Sequence, residues 1–380
     1  IEYYEFFAGG GMARLGLGNR WRCILSNDIC PKKAMAYRKN FAPAHELICT
    51  DVANIGVDQL PGSPTLAWAS FPCQDLSLAG ERRGLNGRRS GSFWAFWNLV
   101  KTLSEGGRTI PIIVLENVVG TLTSNGGSDF SLLLQACQDL GYEYGAMVID
   151  AIHFLPQSRP RLFIVATQLD KGLCAPFVSC VPVEPWHPRS VLQAFGNLPP
   201  TVRSQWLWWH LPPPSQQRKK LDELIDEVPD GVSWDPPEKT KALLKMMSPA
   251  NLSKVEAAKL LHKRVIGTVY KRTRKNEEGK SVQRAEVRFD QISGCLRTPG
   301  GGSSRQTILV VEGESVRSRL LSPREAARLM GVPEGYWLSK NYNEAYHLIG
   351  DGLAVPVVSW LEKHLLYPLA DLSHKAVKVA

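Results

Sequence analysis

The 380-residue chain has no apolar run of about 18 residues, so no stretch of it reads as a membrane span. Its opening residues, Ile1-Glu2-Tyr3-Tyr4-Glu5-Phe6-Phe7, lack the basic start and long apolar core of a secretory leader. Eight cysteines (23, 30, 49, 73, 137, 174, 180 and 295) are scattered, with no Cys-x-x-Cys pair and no histidine at zinc spacing. That pattern argues against a metal centre or a disulfide framework and fits a reducing cytoplasm. Internal repeats and low-complexity tracts are missing as well. So is the dinucleotide fingerprint, because Gly9-x-Gly11 is followed by Arg14 where a third glycine belongs. NAD and FAD are disfavoured, which leaves a smaller adenosine cofactor without a pyrophosphate.

What is present is ordinary in bulk: 44% hydrophobic and 21% charged residues, as in a soluble globular protein. The length allows one large domain and a smaller second one. The formal net charge is +9, and its distribution is more telling than its size. Residues 254–290 carry eleven Lys/Arg against five Asp/Glu, a net of +6, which points to a polyanionic partner.

The stretch Ala69-Ser70-Phe71-Pro72-Cys73-Gln74-Asp75-Leu76-Ser77 organises the reading. An apolar strand, Pro64–Ala69, breaks at Pro72, which cannot donate to a sheet ladder, and delivers Cys73 to the lip of the sheet. Gly80, Gly84, Gly87 and Gly91 then interleave with Arg82, Arg83, Arg88 and Arg89, as in a long cationic loop beside a thiol. Upstream, a strand over Tyr3–Phe7 runs into the turn Ala8-Gly9-Gly10-Gly11 and a helix through Leu17, the opening of a nucleotide-type α/β unit. The next strands end in Asp28 and Asp51. These acids suit ribose hydroxyls and an adenine amino group, although Asp in such places also caps helices.

Farther along, the apolar run Ile110–Leu115 terminates in Glu116. A carboxyl at the end of a buried strand suits proton donation; an ion-paired structural glutamate is the alternative. Gln157, Arg159 and Arg161 alternate, and share one face if extended, before the strand Leu162–Ala166. Proline density rises after residue 175, placing a domain boundary at 175–185. Trp206, Trp208 and Trp209 are expected in the core of the smaller domain, and Val265–Thr273 with Val282–Phe289 forms a basic hairpin. Ser322, Pro323 and Glu325 predict a capped helix stopped by Gly331.

This ordered set resembles the DNA cytosine-5 methyltransferases of bacterial and phage type. The matching pieces are Phe7-Ala8-Gly9-x-Gly11, Asp28, Asp51, Pro72-Cys73-Gln74, Glu116-Asn117-Val118, Gln157-x-Arg159-x-Arg161, Leu321-Ser322-Pro323-Arg324-Glu325 and Gly350-Asp351-x-x-Ala354-Val355-Pro356. They span the chain except for about 186–285, where that family keeps its variable recognition region. Glu5, Ile29 and Asp351 depart from the family's Asp, aromatic and Asn.

The resemblance implies an α/β fold: a Rossmann-like S-adenosylmethionine-dependent methyltransferase sheet with a smaller, mainly β or irregular target-recognition domain. The expected division is 1–185 catalytic and cofactor-binding, 186–340 target recognition, and 341–380 a return segment completing the catalytic domain. It implies S-adenosyl-L-methionine as methyl donor, with S-adenosyl-L-homocysteine as product, and double-stranded DNA as substrate. Cys73, Glu116, Arg159 and Arg161 would be catalytic. Phe7, Ala8, Gly9, Gly10, Gly11, Asp28, Ile29, Asp51, Val52, Pro72, Phe93, Asp351 and Ala354 would hold the cofactor. Gln74, Ser77, Arg82, Arg83, Arg88, Arg89, Arg272, Arg274, Arg297 and Ser303 would meet DNA. A cytoplasmic monomer is expected, with room for a cognate restriction or phage-defence system and no membrane partner. The rivals are a tRNA cytosine-5 methyltransferase and a catalytically idle DNA-binding module on the same fold.

Overall fold

The computed structural model describes residues 1–72, 91–214, 219–275, 278–297 and 305–379. Cys73, Gln74, Ser77, Arg82, Arg83, Arg88, Arg89 and Ser303 lie outside the described residues. Two compact units emerge: residues 1–150, 160–214 and 357–380 form the first, and 151–159 with 215–356 the second.

The first unit is built on seven strands: β1 (Glu2–Phe6), β2 (Arg22–Asp28), β3 (Leu47–Cys49), β4 (Leu66–Ala69), β5 (Ile112–Val118), β6 (Glu143–Asp150) and β7 (Pro160–Thr167). Their order is β3-β2-β1-β4-β5-β7-β6. The first five are mutually parallel, whereas β7 runs antiparallel to both β5 and β6. All four residues of β4, and Ile112 to Leu115 of β5, are buried, so these central strands read in sequence as unbroken apolar runs. Strand order reverses between β1 and β4, and a crevice opens at the carboxyl ends of strands at such a switch point. Phe7 and Phe71 leave the sheet there. Helices α1 (Met12–Leu17), α2 (Pro31–Asn40) and α3 (Gly91–Glu105) supply the layers that cover it.

The division of the chain differs from the sequence expectation at both ends of the smaller part. Residues 186–214 belong to the first unit, because β6 is an edge strand that they cover. The Tyr144 amide donates to the Gln205 carbonyl (3.0 Å) and the Leu207 amide to that of Tyr144 (2.7 Å). The Trp209 indole donates to the Val165 carbonyl at 3.2 Å. Gly145 is obligatory under this cover: a Cβ there would lie 2.0 Å from the Leu207 carbonyl oxygen. The tryptophan cluster is therefore packed on the large sheet and not in the smaller unit. Residues 341–356 likewise belong to the second unit, where the Tyr346 hydroxyl accepts from the Gln306 amide (3.1 Å) and the Val355 amide donates to the Met330 carbonyl (2.9 Å). The chain rejoins the first unit only at Val357.

The second unit holds the antiparallel sheet β11-β10-β12-β13, after the short pair β8 (Val178–Ser179) and β9 (Trp208–Trp209) of the first. Its strands are β10 (Val265–Lys275), β11 (Ser281–Arg288), β12 (Thr307–Glu312) and β13 (Ser315–Leu320). Leu243, Met247, Val255, Val269, Val287 and Leu309 form its core. The expected cap is present: the Glu325 amide donates to the Ser322 hydroxyl, and the Glu325 carboxylate accepts from the Ser322 amide at 2.8 Å. The same carboxylate pairs with Arg319 at 2.7 Å, both side chains fully buried. Removing one partner strands a buried charge. Glu325→Ala should lower unfolding free energy by about 3–5 kcal/mol in chemical denaturation.

Candidate active site

The first cluster gathers at the carboxyl ends of β1, β2 and β3. Phe7, Gly9 and Gly11 all take positive φ (58°, 57° and 78°), which turns the chain sharply from β1 into α1. A Cβ on Gly9 would meet no atom of the described residues within 4 Å, so these leave the outer side of the turn open; one on Gly11 would lie 2.3 Å from the Phe41 ring. Gly11 is thus required by packing against α2. Asp28, buried at the end of β2, ties the turn down: one carboxylate oxygen accepts from the Gly9 amide and the other from the Cys30 amide, both at 2.8 Å. Ile29 beside it is 64% exposed, an unusual place for a large apolar side chain.

Arg14 stands where a dinucleotide site needs glycine, and its side chain occupies the space between α1 and α2. It donates to the Tyr37 hydroxyl (2.7 Å), pairs with Glu46, and lies 4.5 Å from the Phe41 ring centroid. Beneath, Glu5 is buried, and burial pushes its carboxyl up to about 8, only partly opposed by the Arg14 charge. Asp51 takes the capping role: it is exposed and accepts from the Ala53 amide at 3.0 Å. Val52 and Phe93 are core residues, Phe93 being fully buried against Phe71 and Trp97. Ala8 and Gly10 are buried within the turn, and Pro72 is exposed.

The second cluster lies at the end of β5. Glu116 is buried and Arg161 half-buried, and their side chains pair at 3.5 Å. Glu116 is ion-paired, and its partner is drawn from the same expected set. Asn117, quoted in the sequence only as part of a motif, has a role of its own. Its amide donates to the Phe71 carbonyl (3.1 Å) while its oxygen accepts from the Val118 amide (2.8 Å). It therefore fixes the backbone two residues before Cys73.

Gln157, Arg159 and Arg161 do not share one strand face, because β7 begins only at Pro160. Gln157 and Arg159 are buried in the second unit. The Arg159 guanidinium donates to the carbonyls of Leu296 (2.9 Å), Gly350 (2.8 Å) and Gly352 (2.7 Å). Gln157 donates to the Leu329 carbonyl at 2.6 Å. The expectation that Arg159 steadies a substrate ring is thus corrected to a backbone clamp, and Arg161 is the arginine beside Glu116. Asp351 ends the helix Tyr342–Asp351 and is exposed; Ala354 is buried; Arg297 is exposed. All three are residues of the second unit, as are Arg272 and Arg274.

Two outcomes follow from this geometry. Arg159→Met should cost about 2–4 kcal/mol of stability in denaturant titrations, because it leaves several buried carbonyls without donors. For Glu5, the folded chain holds a proton that the unfolded chain has released between the ordinary carboxylate range and about pH 8. Stability should therefore fall as pH rises through that window and level off above it. Thermal melting of Glu5→Gln across pH 5–8 should show a flatter profile than that of the unsubstituted protein.

The model of the C-5 cytosine-specific DNA methylase family matches residues 1–366. Among curated proteins, the type II methyltransferase M.MspI of a Moraxella species is 22% identical over 99% of this chain and 73% of its own length. M.HhaI of Haemophilus parahaemolyticus is 22% identical over 95% of this chain and 93% of its own. Among solved structures, the S. pombe Dnmt2 methyltransferase superposes with a TM-score of 0.57 at 18% identity, covering 97% of this chain and 99% of that one. A prophage-encoded DNA modification methyltransferase of E. coli gives 0.57 at 15% identity, over 98% and 99%. With the family match running almost end to end over a parallel-dominated sheet, the chain belongs to the C-5 cytosine-specific DNA methylases.

Proposed function

We propose that the protein transfers a methyl group from S-adenosyl-L-methionine to C5 of a cytosine turned out of a specific duplex DNA sequence, through a covalent bond between Cys73 and C6. The observation that carries the reading is the Glu116–Arg161 pair, set next to the asparagine that fixes the Phe71 carbonyl ahead of Cys73. The first cluster fits the donor. The described residues leave the outer side of Gly9 open, Ile29 offers an apolar surface, and each Asp28 oxygen has a lone pair left for a ribose hydroxyl. When bound, S-adenosylmethionine supplies an electrophilic methyl group on a sulfonium.

Cytosine C5 is a poor nucleophile until the ring loses aromaticity. The Cys73 thiolate adds to C6, and C5 becomes an enamine carbon. A thiol of ordinary pKa is only a few per cent ionised at neutral pH, so this step needs help. Glu116 holds the proton shared with ring N3 as electron density reaches that atom, and Arg161 orients Glu116 and steadies the base carbonyl. C5 would take up the methyl carbon as its bond to the sulfonium breaks, leaving S-adenosyl-L-homocysteine; a base then removes the C5 proton, and those electrons expel the Cys73 sulfur and restore the aromatic ring. The base must first leave the stack, at a cost of a few kcal/mol. Arg159 acts only as a positioning residue. The type II relatives support pairing with a restriction or phage-defence system.

Tritiated S-adenosylmethionine offered with duplex DNA or tRNA should label the DNA alone, and a 5-fluorocytosine duplex should trap a covalent adduct that Cys73→Ser loses. Label in tRNA alone overturns the substrate assignment; absence of an adduct with the unsubstituted protein overturns the covalent route. Arg161→Lys should slow transfer by about 10²–10³-fold while leaving the melting temperature unchanged.

A further inference from the structure

The outer face of the β10–β11 hairpin has an arrangement that charge alone does not explain. Val269, Ala285 and Val287 point into the apolar core of the second unit. By strand alternation, Tyr270, Arg272 and Arg274 lie on the opposite face, across from Glu286, Arg284 and Val282 in register. Arg272 thus stands directly opposite Arg284, a like-charge pairing that weakens a sheet. Among the described residues, a single carboxylate serves Arg272 and Arg274. Glu286 Oε1 accepts from Arg274 Nε (2.8 Å) and Nη2 (2.5 Å), and its Oε2 lies 3.2 Å from Arg272 Nε. The two arginine side chains remain 46% and 50% exposed. Arg288 is matched by Asp290 instead, and the Tyr270 hydroxyl anchors the inner end by donating to the Cys295 carbonyl at 2.7 Å.

Two guanidiniums share the Glu286 carboxylate, and with Arg284 across the ladder the three arginines and one glutamate carry a formal charge of +2, as an anionic ligand requires. A surface built only for phosphate gains nothing from a glutamate, which repels it. A carboxylate held between arginine forks suits a neutral base-pair edge instead. In the major groove a G·C pair offers two adjacent acceptors, guanine N7 and O6, beside a donor, the cytosine amino group. Adenine places a donor where the fork needs its second acceptor, and thymine has no amino group for the carboxylate. A two-stranded ribbon is of a size to enter that groove.

We infer that Glu286 is a specificity-determining residue: with Arg272 or Arg274 on guanine and its own carboxylate on the paired cytosine, it makes this hairpin face read a G·C pair in the target. The inference rests on duplex DNA being the substrate. It is tested by selecting tight binders from a randomised duplex pool with the full chain, then measuring affinity for the selected duplex and its single-pair variants at several salt concentrations. The unsubstituted protein should prefer G·C at one position by at least about tenfold. Glu286→Gln should lose that preference, bind mismatched duplexes more tightly, and steepen the salt dependence by about one phosphate contact. Glu286→Asp, which keeps the charge on a shorter stem, should lose the preference without the change in salt slope.

A uniform change in affinity with the base preference intact in both variants overturns the proposal, as does a selected duplex with no G·C position dependent on Glu286. Because the selection scores binding and not methyl transfer, its outcome is separate from that of the catalytic reading. A protein that selects DNA yet labels none refutes the chemistry alone.

Discussion

One constraint shapes the first unit: β7 runs antiparallel to β5, in a register that sets Arg161 opposite Val118 and Phe163 opposite Glu116. In a fully parallel sheet, the first residue of a strand lies at the end remote from the ligand crevice. Reversing one strand brings its first residues to the carboxyl end of β5, where Glu116 and Asn117 sit. The ion pair is thus a product of topology before it is a product of side-chain choice.

The cluster at the ends of β1 and β2 depends on a different device. Asp28 is fixed by two backbone amides rather than by a cation, so its carboxylate is positioned while its remaining lone pairs face away from those donors. Arg14 ties α1 to α2 through the Tyr37 hydroxyl and to the start of β3 through Glu46, and Gly11 makes room for the Phe41 ring at the end of α2. The burial of Glu5 keeps a proton under the turn, which limits the negative charge near Asp28.

Much of this was legible in the sequence because it is local. Helix α2 occupies Pro31–Asn40 as read, the Ser322–Glu325 capping box is in place, β2 ends at Asp28, and Glu116 lies among the last residues of β5, before Val118. What escaped the sequence depends on distant partners. Proline-rich residues 186–214 read as the start of the smaller domain, yet they shield an edge strand of the large sheet. Alternation of Gln157, Arg159 and Arg161 suggests a common face, but β7 starts midway and sends Arg159 to carbonyls almost 200 residues farther along. Strand β13 was hidden because Arg319 sits at one of its buried positions. The sharing of Glu286 by two arginines depends on hairpin register, which composition does not encode.

The Arg159 clamp bears on how such a protein can diversify. Residues 151–159 sit in the sequence between two strands of the large sheet, yet they pack within the other compact unit. That unit is therefore not a contiguous cassette. Recombination that exchanges only 215–356 would carry the Leu296, Gly350 and Gly352 carbonyls into a foreign host and leave behind the guanidinium that satisfies them. Modular exchange of this unit is easiest where the host keeps an arginine at this place, or where the crossover points fall inside the unit, sparing the clamp.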